Sequence, residues 1–259
     1  SKLQVGHPPG APLFQMLGAF FSVFSTDPSQ IGWLMNMMSA VSSAFTILFM
    51  FWSITILLRN IVGSSETLTS SQGQAILGSA LVGSLAFAFT DSFWFNAVET
   101  EVYAMATLIM AVLFYLGLRW GNDMFSPRGN KWLILISFVV GLSFGVHFMG
   151  LLTIPAISLI YFFKNYRTVT IKNLILANLA GIAILLFVFK LLAPNILRYF
   201  SVLEIFFINS VGLPFNSGSI IAFFLLVRFI IFGIRYTRKK NHVNLNTALL
   251  CVTFIIIGF

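Results

Sequence analysis

The sequence predicts an all-α polytopic membrane protein, and its apolar runs and composition carry that prediction. Apolar runs of about 20 residues, the length at which a helix crosses a bilayer, recur along the chain. Hydrophobic residues make up 58% of the 259 residues and charged residues only 8%, so polar surface is too scarce to cover a water-soluble globule. The single cysteine, Cys251, lies inside an apolar run, which excludes a disulfide framework and a cysteine metal site. We therefore expect one transmembrane helical domain over residues 1–259.

Residues 1–30 are expected to form an outer loop rather than a span. Prolines at positions 8, 9 and 12 interrupt any helix early in this segment. Residues 12–21 are typical of a short helix that has a proline in its first turn and lies in the membrane interface. Asp27 then precedes a proline, which pushes it out of the α region and ends the segment.

About eight spans are expected in residues 31–259. An apolar run at 132–163 is too long for one span, so we divide it into two short helices that turn near residues 145–150. Residues 193–218 are interpreted as an amphipathic loop. The other spans are expected at residues 31–58, 74–90, 98–118, 174–192, 219–234 and 245–259. Because the chain starts without Met and stops inside an apolar run, we expect it to be truncated at both ends.

The charged residues predict an orientation. With the N-terminus outside, the inner loops hold most of the 15 basic residues, as the positive-inside rule requires, and most of the seven acids lie outside. The net charge of +8 comes from short basic clusters between apolar runs, which is typical of cytoplasmic loops and excludes nucleic acid as a partner. The lipid bilayer is the partner that the apolar runs predict.

Residues 90–105 are the best candidate for a site, because they place three acids between two apolar runs. Asn96 and Glu99 have the spacing of a helix N-cap and its third-position glutamate, and Tyr103 would share their face of the helix. One interpretation is therefore a capped helix start with its aromatic residues in an interfacial belt. The other is a functional site, because carboxylates beside a bilayer are costly and usually mark function.

The two glutamates of this stretch leave two arrangements open. Residues two apart point to nearly opposite faces of a helix, so either Glu99 or Glu101 alone faces the site. Alternatively, the helix start is distorted and both carboxylates reach a cation or a phosphate-bound ion. Asp91, the third acid, lies near the beginning of the stretch.

A His-Pro-Pro sequence near the N-terminus is the second signal. Pro8 and Pro9 fix φ and remove two donors, so a stiff backbone presents the His7 imidazole at a defined place. A rigid turn into the interfacial helix is the alternative interpretation. His147 is either a ligand or a hydrogen-bonded packing residue. Arg198 either meets a phosphate or only extends its charge to the membrane surface.

Residues 3–14 and 91–105 resemble the two signature stretches of glycosyltransferase family 117, a group of GT-C membrane enzymes related to protein O-mannosyltransferases. Residues 141–147 are similar to the short-helix hairpin of that family. The His-Pro-Pro sequence is also similar to the first outer loop of protein O-mannosyltransferases. The Glu-x-Glu sequence is similar to the second acidic motif of oligosaccharyltransferase catalytic subunits.

The resemblance implies a GT-C transmembrane fold in the bacterial cytoplasmic membrane, with the site facing the periplasm. It implies transfer of a sugar from a polyprenyl-phosphate-linked donor to a protein or lipid acceptor, such as a Ser or Thr hydroxyl. The base is then an aspartate upstream of Ser1, so this chain alone is expected to be inactive. Supporting catalytic roles fall to His7, Glu99 and Glu101. Substrate binding falls to Pro8, Pro9, Asp91, Asn96, Tyr103, His147 and Arg198.

The resemblance leaves a divalent metal open, because the oligosaccharyltransferase parallel implies one and the O-mannosyltransferase parallel does not. Glu99 and Glu101 are the candidate ligands if a metal takes part. A secondary transporter and a non-catalytic lipid-binding membrane protein are the alternative functions. A transporter would place ionisable residues near the bilayer midplane. Here the acids gather at one face and only Arg228 lies deep, which favours the enzyme.

Overall fold

The computed structural model describes residues 11–63, 68–166 and 168–259, and most of these residues are helical, with no β-strand among them. The predicted all-α class is confirmed. The helices are α1 (Pro12–Ser22), α2 (Ile31–Val62), α3 (Ser70–Ala88), α4 (Asp91–Val98), α5 (Val102–Asp123), α6 (Asn130–Ser143), α7 (Thr153–Asn165), α8 (Ile171–Leu186), α9 (Ala193–Asn209), α10 (Ser217–Lys239) and α11 (Val243–Gly258). Short 3-10 turns occupy Pro28–Gln30 and Phe148–Leu152, and a π-helical turn occupies Phe187–Leu192.

Helices occur at all eight places where a span was predicted. Within the described residues, five segments are long and apolar enough to cross a bilayer, and a sixth arises if α3 and α4, which bend by 68°, form one span. The five are Pro28–Val62, Val102–Asp123, Phe148–Asn165, Ile171–Asn209 and Ser217–Lys239. α6 and α11 are apolar but shorter. The protein is therefore a multi-pass membrane protein, and the count of eight spans stays a prediction.

The side chains are distributed as in a membrane protein. Hydroxyl groups are buried along α2 where it packs on its neighbours, and such small residues let helix backbones approach closely in lipid. They belong to Ser39, Ser42, Ser43, Thr46 and Ser53. Large apolar side chains point outward instead, and Val82 and Phe229, for example, are each 69% exposed. A bilayer covers this apolar surface, which in water would promote association.

The helix order gathers the basic loops at one end of the bundle. Four side-chain hydrogen bonds join the helix ends that flank these loops. They are Asn60 Nδ2 to Asn122 Oδ1 at 3.3 Å, Asn165 Nδ2 to Met124 Sδ at 3.1 Å, Asn130 Nδ2 to Thr247 Oγ1 at 3.3 Å and Asn246 Nδ2 to Thr237 Oγ1 at 2.8 Å. We call this end the basic end. The acidic end is the opposite one, and it carries Asp91, Glu99, Glu101 and Glu204. The side of the membrane that each end faces stays a prediction of the positive-inside rule.

Residues 193–209 form helix α9, so the amphipathic loop predicted for 193–218 is wrong. α8, the π-helical turn and α9 make one continuous apolar segment of 39 residues. Pro194 lacks the N–H that an α-helix needs at that position, and a proline there would normally end the helix. The π-helical turn ends at Leu192, two residues before this proline, and shifts the hydrogen-bond register, so the helix continues past it.

Glu204 closes the hairpin between α9 and α10. Its Oε1 accepts the N–H of Asn216 and its Oε2 accepts the N–H of Ser219, each at 2.6 Å. These N–H groups begin α10 and have no partner within the helix, so the carboxylate caps α10 from the neighbouring helix. Gly218 lies against the same backbone, and a Cβ there would come 2.7 Å from the nitrogen of Glu204. Glu204 is therefore a structural acid rather than a free one.

The Gly218→Ala variant is expected to be less stable by about 1–3 kcal/mol, because no space for a methyl group exists between the two backbones. Thermal melting of the full-length protein in detergent measures this. Gly78→Ala is the matched control, because Gly78 also lies in a helix and its added Cβ would meet nothing within 4 Å. The control should be neutral or slightly stabilising. Equal melting temperatures for the two variants would contradict the close contact of α9 with α10.

Candidate functional site

Helix α4 ends before the two glutamates, and this overturns the predicted cap. Asn96 lies inside α4, where its Nδ2 donates to the carbonyl of Ser92 at 2.8 Å and so is not available to cap a later helix. Glu99 follows α4 in an extended conformation, with φ −115° and ψ 141°. α5 begins only at Val102. The predicted Asn96–Glu99 cap, and the helix face shared with Tyr103, are therefore wrong.

A three-residue break of Glu99, Thr100 and Glu101 separates α4 from α5. The N–H of Glu101 donates to the carbonyl of Glu99 at 3.0 Å, which makes a tight turn around Thr100. Thr100 Oγ1 donates to Oδ1 of Asn36 and so ties the turn to α2. The backbone between the two carboxylates is thus distorted, which is the geometry that the second of the two arrangements requires.

Both carboxylates of the break are free. Glu99 and Glu101 are exposed, and neither forms an ion pair or a side-chain hydrogen bond with any residue that the structure describes. Glu101 occupies the N-cap position of α5, yet its side chain does not cap the helix. Neither charge is therefore used to hold the fold. Two unpartnered carboxylates at the end of an apolar bundle can accept hydrogen bonds from hydroxyl groups or bind a cation.

Tyr103 and His147, two of the predicted site residues, are in contact. Tyr103 lies in the first turn of α5, and its ring centroid is 5.4 Å from that of His147. The Nδ1 of His147 accepts the N–H of Met149 at 3.2 Å. In a neutral ring this bond assigns the proton to Nε2, which has no hydrogen-bond partner in the described parts of the chain. His147 therefore combines a packing role with an N–H donor that the fold does not use.

The start of α1 docks on the turn that precedes His147. The N–H groups of Leu13 and Phe14 donate to the carbonyl of Gly145 at 2.8 and 3.1 Å. A Cβ at Gly145 would lie 2.8 Å from the Cβ of Leu13, so this approach needs glycine. The short helix predicted for residues 12–21 is thus confirmed. It packs on the hairpin that connects α6 to α7, at the acidic end. The predicted residues His7, Pro8 and Pro9 lie outside the described residues.

The structure does not join Asp91 or Arg198 to this group. Asp91 is exposed in the first turn of α4, where its charge suits the positive end of the helix dipole. The helix that separates it from Glu99 is about 12 Å long at 1.5 Å per residue. Arg198 is exposed on α9, which packs on α10, and among the described residues it has no ion pair. The substrate-binding roles predicted for both stay predictions.

Asn36 also belongs to this region, although it was not among the predicted site residues. It lies near the start of α2, and its Oδ1 holds the turn at Thr100. A signal was present, because an amide inside a long apolar run has to find a polar partner. The identity of that partner, 64 positions along the chain, depends on how α2 packs beside α4 and α5.

The carboxylates of Glu99 and Glu101 are the candidate ligands for a divalent metal ion in this region. No group of three His, Cys, Asp or Glu side chains able to hold a metal occurs within residues 11–63, 68–166 and 168–259. A cation on Glu99 and Glu101 would therefore need water or a substrate phosphate to complete its shell, a mode of binding common for Mg²⁺.

Comparison with known proteins identifies the family. The sequence model of the protein O-mannosyl-transferase TMEM260 N-terminal domain matches residues 1–170, which contain the acidic break, the hairpin and α1. The protein O-mannosyl-transferase tmem260 of Dictyostelium discoideum is 22% identical over 211 residues, which cover 75% of this chain and 24% of the relative. The chain thus spans about a quarter of the length of the curated relative that it matches. No solved structure matches it. Because the family model covers more than half of the residues, this chain belongs to the protein O-mannosyl-transferase TMEM260 N-terminal domain family.

Proposed function

We propose that this chain is the transmembrane part of a GT-C-type glycosyltransferase of family 117. It transfers a sugar from a polyprenyl-phosphate-linked donor to an acceptor hydroxyl, such as a protein Ser or Thr, on the extracytoplasmic face of the membrane. The pair of unpartnered carboxylates that flank Thr100 carries this proposal. Family membership supports sugar transfer, and the name of the Dictyostelium relative supports a protein acceptor.

The reaction that we propose is a single inverting displacement. The bond between the anomeric carbon and the donor phosphate oxygen breaks as the acceptor oxygen bonds to that carbon, and the polyprenyl phosphate leaves. An acceptor hydroxyl is a weak nucleophile, so a base has to take its proton. We assign this base to an aspartate upstream of Ser1, as the family resemblance implies.

The described residues position the two substrates. Carboxylates repel a phosphate unless a cation bridges them, so we place the acceptor hydroxyl beside Glu99 and Glu101 and the donor phosphate beside His147. The Nε2–H of His147 then donates to a phosphate oxygen. Tyr103 comes two residues after Glu101 and touches the His147 ring, so we place it between the two substrates. We assign the outer parts of the binding surface to His7, Pro8, Pro9, Asp91, Asn96 and Arg198.

Sugar transfer by the full-length protein tests this function against the transporter alternative. The protein is reconstituted in liposomes with a polyprenyl-phosphate-linked mannose and a Ser/Thr peptide, and the mass of the peptide is measured. We expect the peptide to gain one hexose. Uptake of a solute by the liposomes with no gain in peptide mass would support the transporter and contradict the transferase.

Removal of divalent metal ions separates the two roles open to the carboxylates. With the acceptor hydroxyl beside Glu99 and Glu101, we expect EDTA to leave the transfer rate unchanged. A bridging cation would instead hold the donor phosphate on the same carboxylates. Loss of transfer in EDTA, with recovery on addition of Mn²⁺ or Mg²⁺, would overturn the placement of the two substrates and keep the transferase.

A further inference from the structure

An apolar groove lies away from the candidate site, between α8 and α11. Its volume is about 690 Å³, and α5, α6 and α7 supply its remaining walls. Along α8 it runs from Asn173 to Ile184 and continues to Phe187 in the π-helical turn. Fourteen positions of helix correspond to about 21 Å, which exceeds the thickness of about 15 Å that one leaflet contributes to the hydrocarbon core. The groove is thus long enough for one acyl chain.

The lining of the groove changes along its length. At the basic end it includes side chains with polar tips, namely Tyr161, Tyr166 and Asn173. Further from that end the lining is apolar, with Ile154, Val188 and Ile255, apart from two serines. The hydroxyls of Ser137 and Ser158 donate to carbonyls of their own helices, at 2.9 and 2.7 Å. A lipid has the same division between a polar head and an apolar chain, which fixes its direction in the groove.

Two basic side chains lie beside the groove at the basic end. Lys164 lies in the last turn of α7 and Lys172 in the first turn of α8, next to the lining residue Asn173. Both lysines are exposed and have no ion-pair partner among the described residues. Asp123, the acid described at this end, is already occupied by Lys131 at 3.8 Å and by the indole of Trp132 at 2.7 Å. The head group that complements this end is therefore anionic.

We propose that the groove holds one acyl chain of an anionic phospholipid, whose phosphate lies against Lys164 and Lys172. The lipid fills apolar volume between α8 and α11 that no side chain in the described parts of the chain fills. This site is distinct from the proposed donor site, because its two lysines lie at the basic end and the carboxylates lie at the acidic end.

Native mass spectrometry of the full-length protein from nanodiscs tests the proposal. The nanodiscs contain equal amounts of phosphatidylglycerol and phosphatidylcholine. We expect the protein to retain one phosphatidylglycerol. The double variant Lys164→Gln, Lys172→Gln should lose this preference by about 30-fold, since each lysine near an anionic phosphate contributes about fivefold. Arg59→Gln removes another exposed basic residue at the same end and should retain the preference.

A second variant blocks the groove itself. Ala177→Phe places a ring among the lining residues and should abolish retention, whereas Ala86→Phe, at an exposed alanine of α3, should not. Both lysine substitutions are on the surface, so they test the proposal even if Ala177→Phe does not fold. Equal retention of the two phospholipids by the wild type would overturn the proposal. Displacement of the retained lipid by polyprenyl phosphate, or a groove filled by another segment of the full-length protein, would overturn it as well.

Discussion

Replacing Glu101 by glutamine is expected to lower kcat/KM for sugar transfer by about 100-fold or more, because the acceptor hydroxyl loses a charged partner in the transition state. Glu99→Gln should act in the same direction. Both substitutions keep the size of the side chain and remove only its charge. The measurement is the initial rate of peptide glycosylation by the full-length protein.

Asp27→Asn is the matched control for these variants. Asp27 is exposed and accepts the N–H of Ser29 at 2.8 Å, a bond that asparagine can also accept. The rate of transfer should not change. Glu99→Gln should also melt at the wild-type temperature, because its side chain caps no helix. Wild-type transfer by both Glu99→Gln and Glu101→Gln would remove the carboxylates from the site.

The substitution of His147 by asparagine is expected to lower transfer by about 100-fold, because it removes the Nε2–H donor to the donor phosphate. Asparagine at the start of a helical turn can still accept the N–H of Met149. The fold of the hairpin should therefore persist, and thermal melting should show little change. This variant separates the donor role of His147 from its role in the turn.

The His147→Phe variant makes the opposite change. It keeps an aromatic ring against Tyr103 and loses both nitrogen atoms. If His147 served only for packing, the phenylalanine variant would retain transfer and the asparagine variant would lose stability. We expect instead that both variants lose transfer. Retained transfer in His147→Phe would contradict the assigned role.

The long apolar runs were sufficient to predict where helices lie, because each has to satisfy its own backbone inside the bilayer. The break at Thr100 was harder to predict. Asn96 and Glu99 have the spacing of a cap, and the Asn96 side chain instead bonds back within α4. The hydrogen bond from Thr100 to Asn36 favours the break over a capped helix start, and this bond depends on the packing of α2.

Helix α9 is a second feature that was not predicted from the sequence. Residues 193–218 were predicted to be an amphipathic loop, and Pro194 is a strong local signal for the end of a helix. A π-helical turn compensates for the N–H that Pro194 lacks. Such a turn has no residue pattern from which it could be predicted. The contact of Tyr103 with His147 also required the fold, because it depends on how the hairpin returns to the start of α5.

The sidedness of sugar transfer tests the central claim most directly. The cysteines of the full-length protein, Cys251 among them, are first replaced by alanine. Single cysteines are then introduced by Ser92→Cys at the acidic end and by Ser126→Cys at the basic end, and both positions are exposed. In vesicles of one orientation, a membrane-impermeant maleimide reports which end faces outward. We predict that acceptor peptide added outside is glycosylated only in vesicles in which Ser92→Cys is labelled. Glycosylation confined to vesicles that label Ser126→Cys would contradict a transferase site at the acidic end.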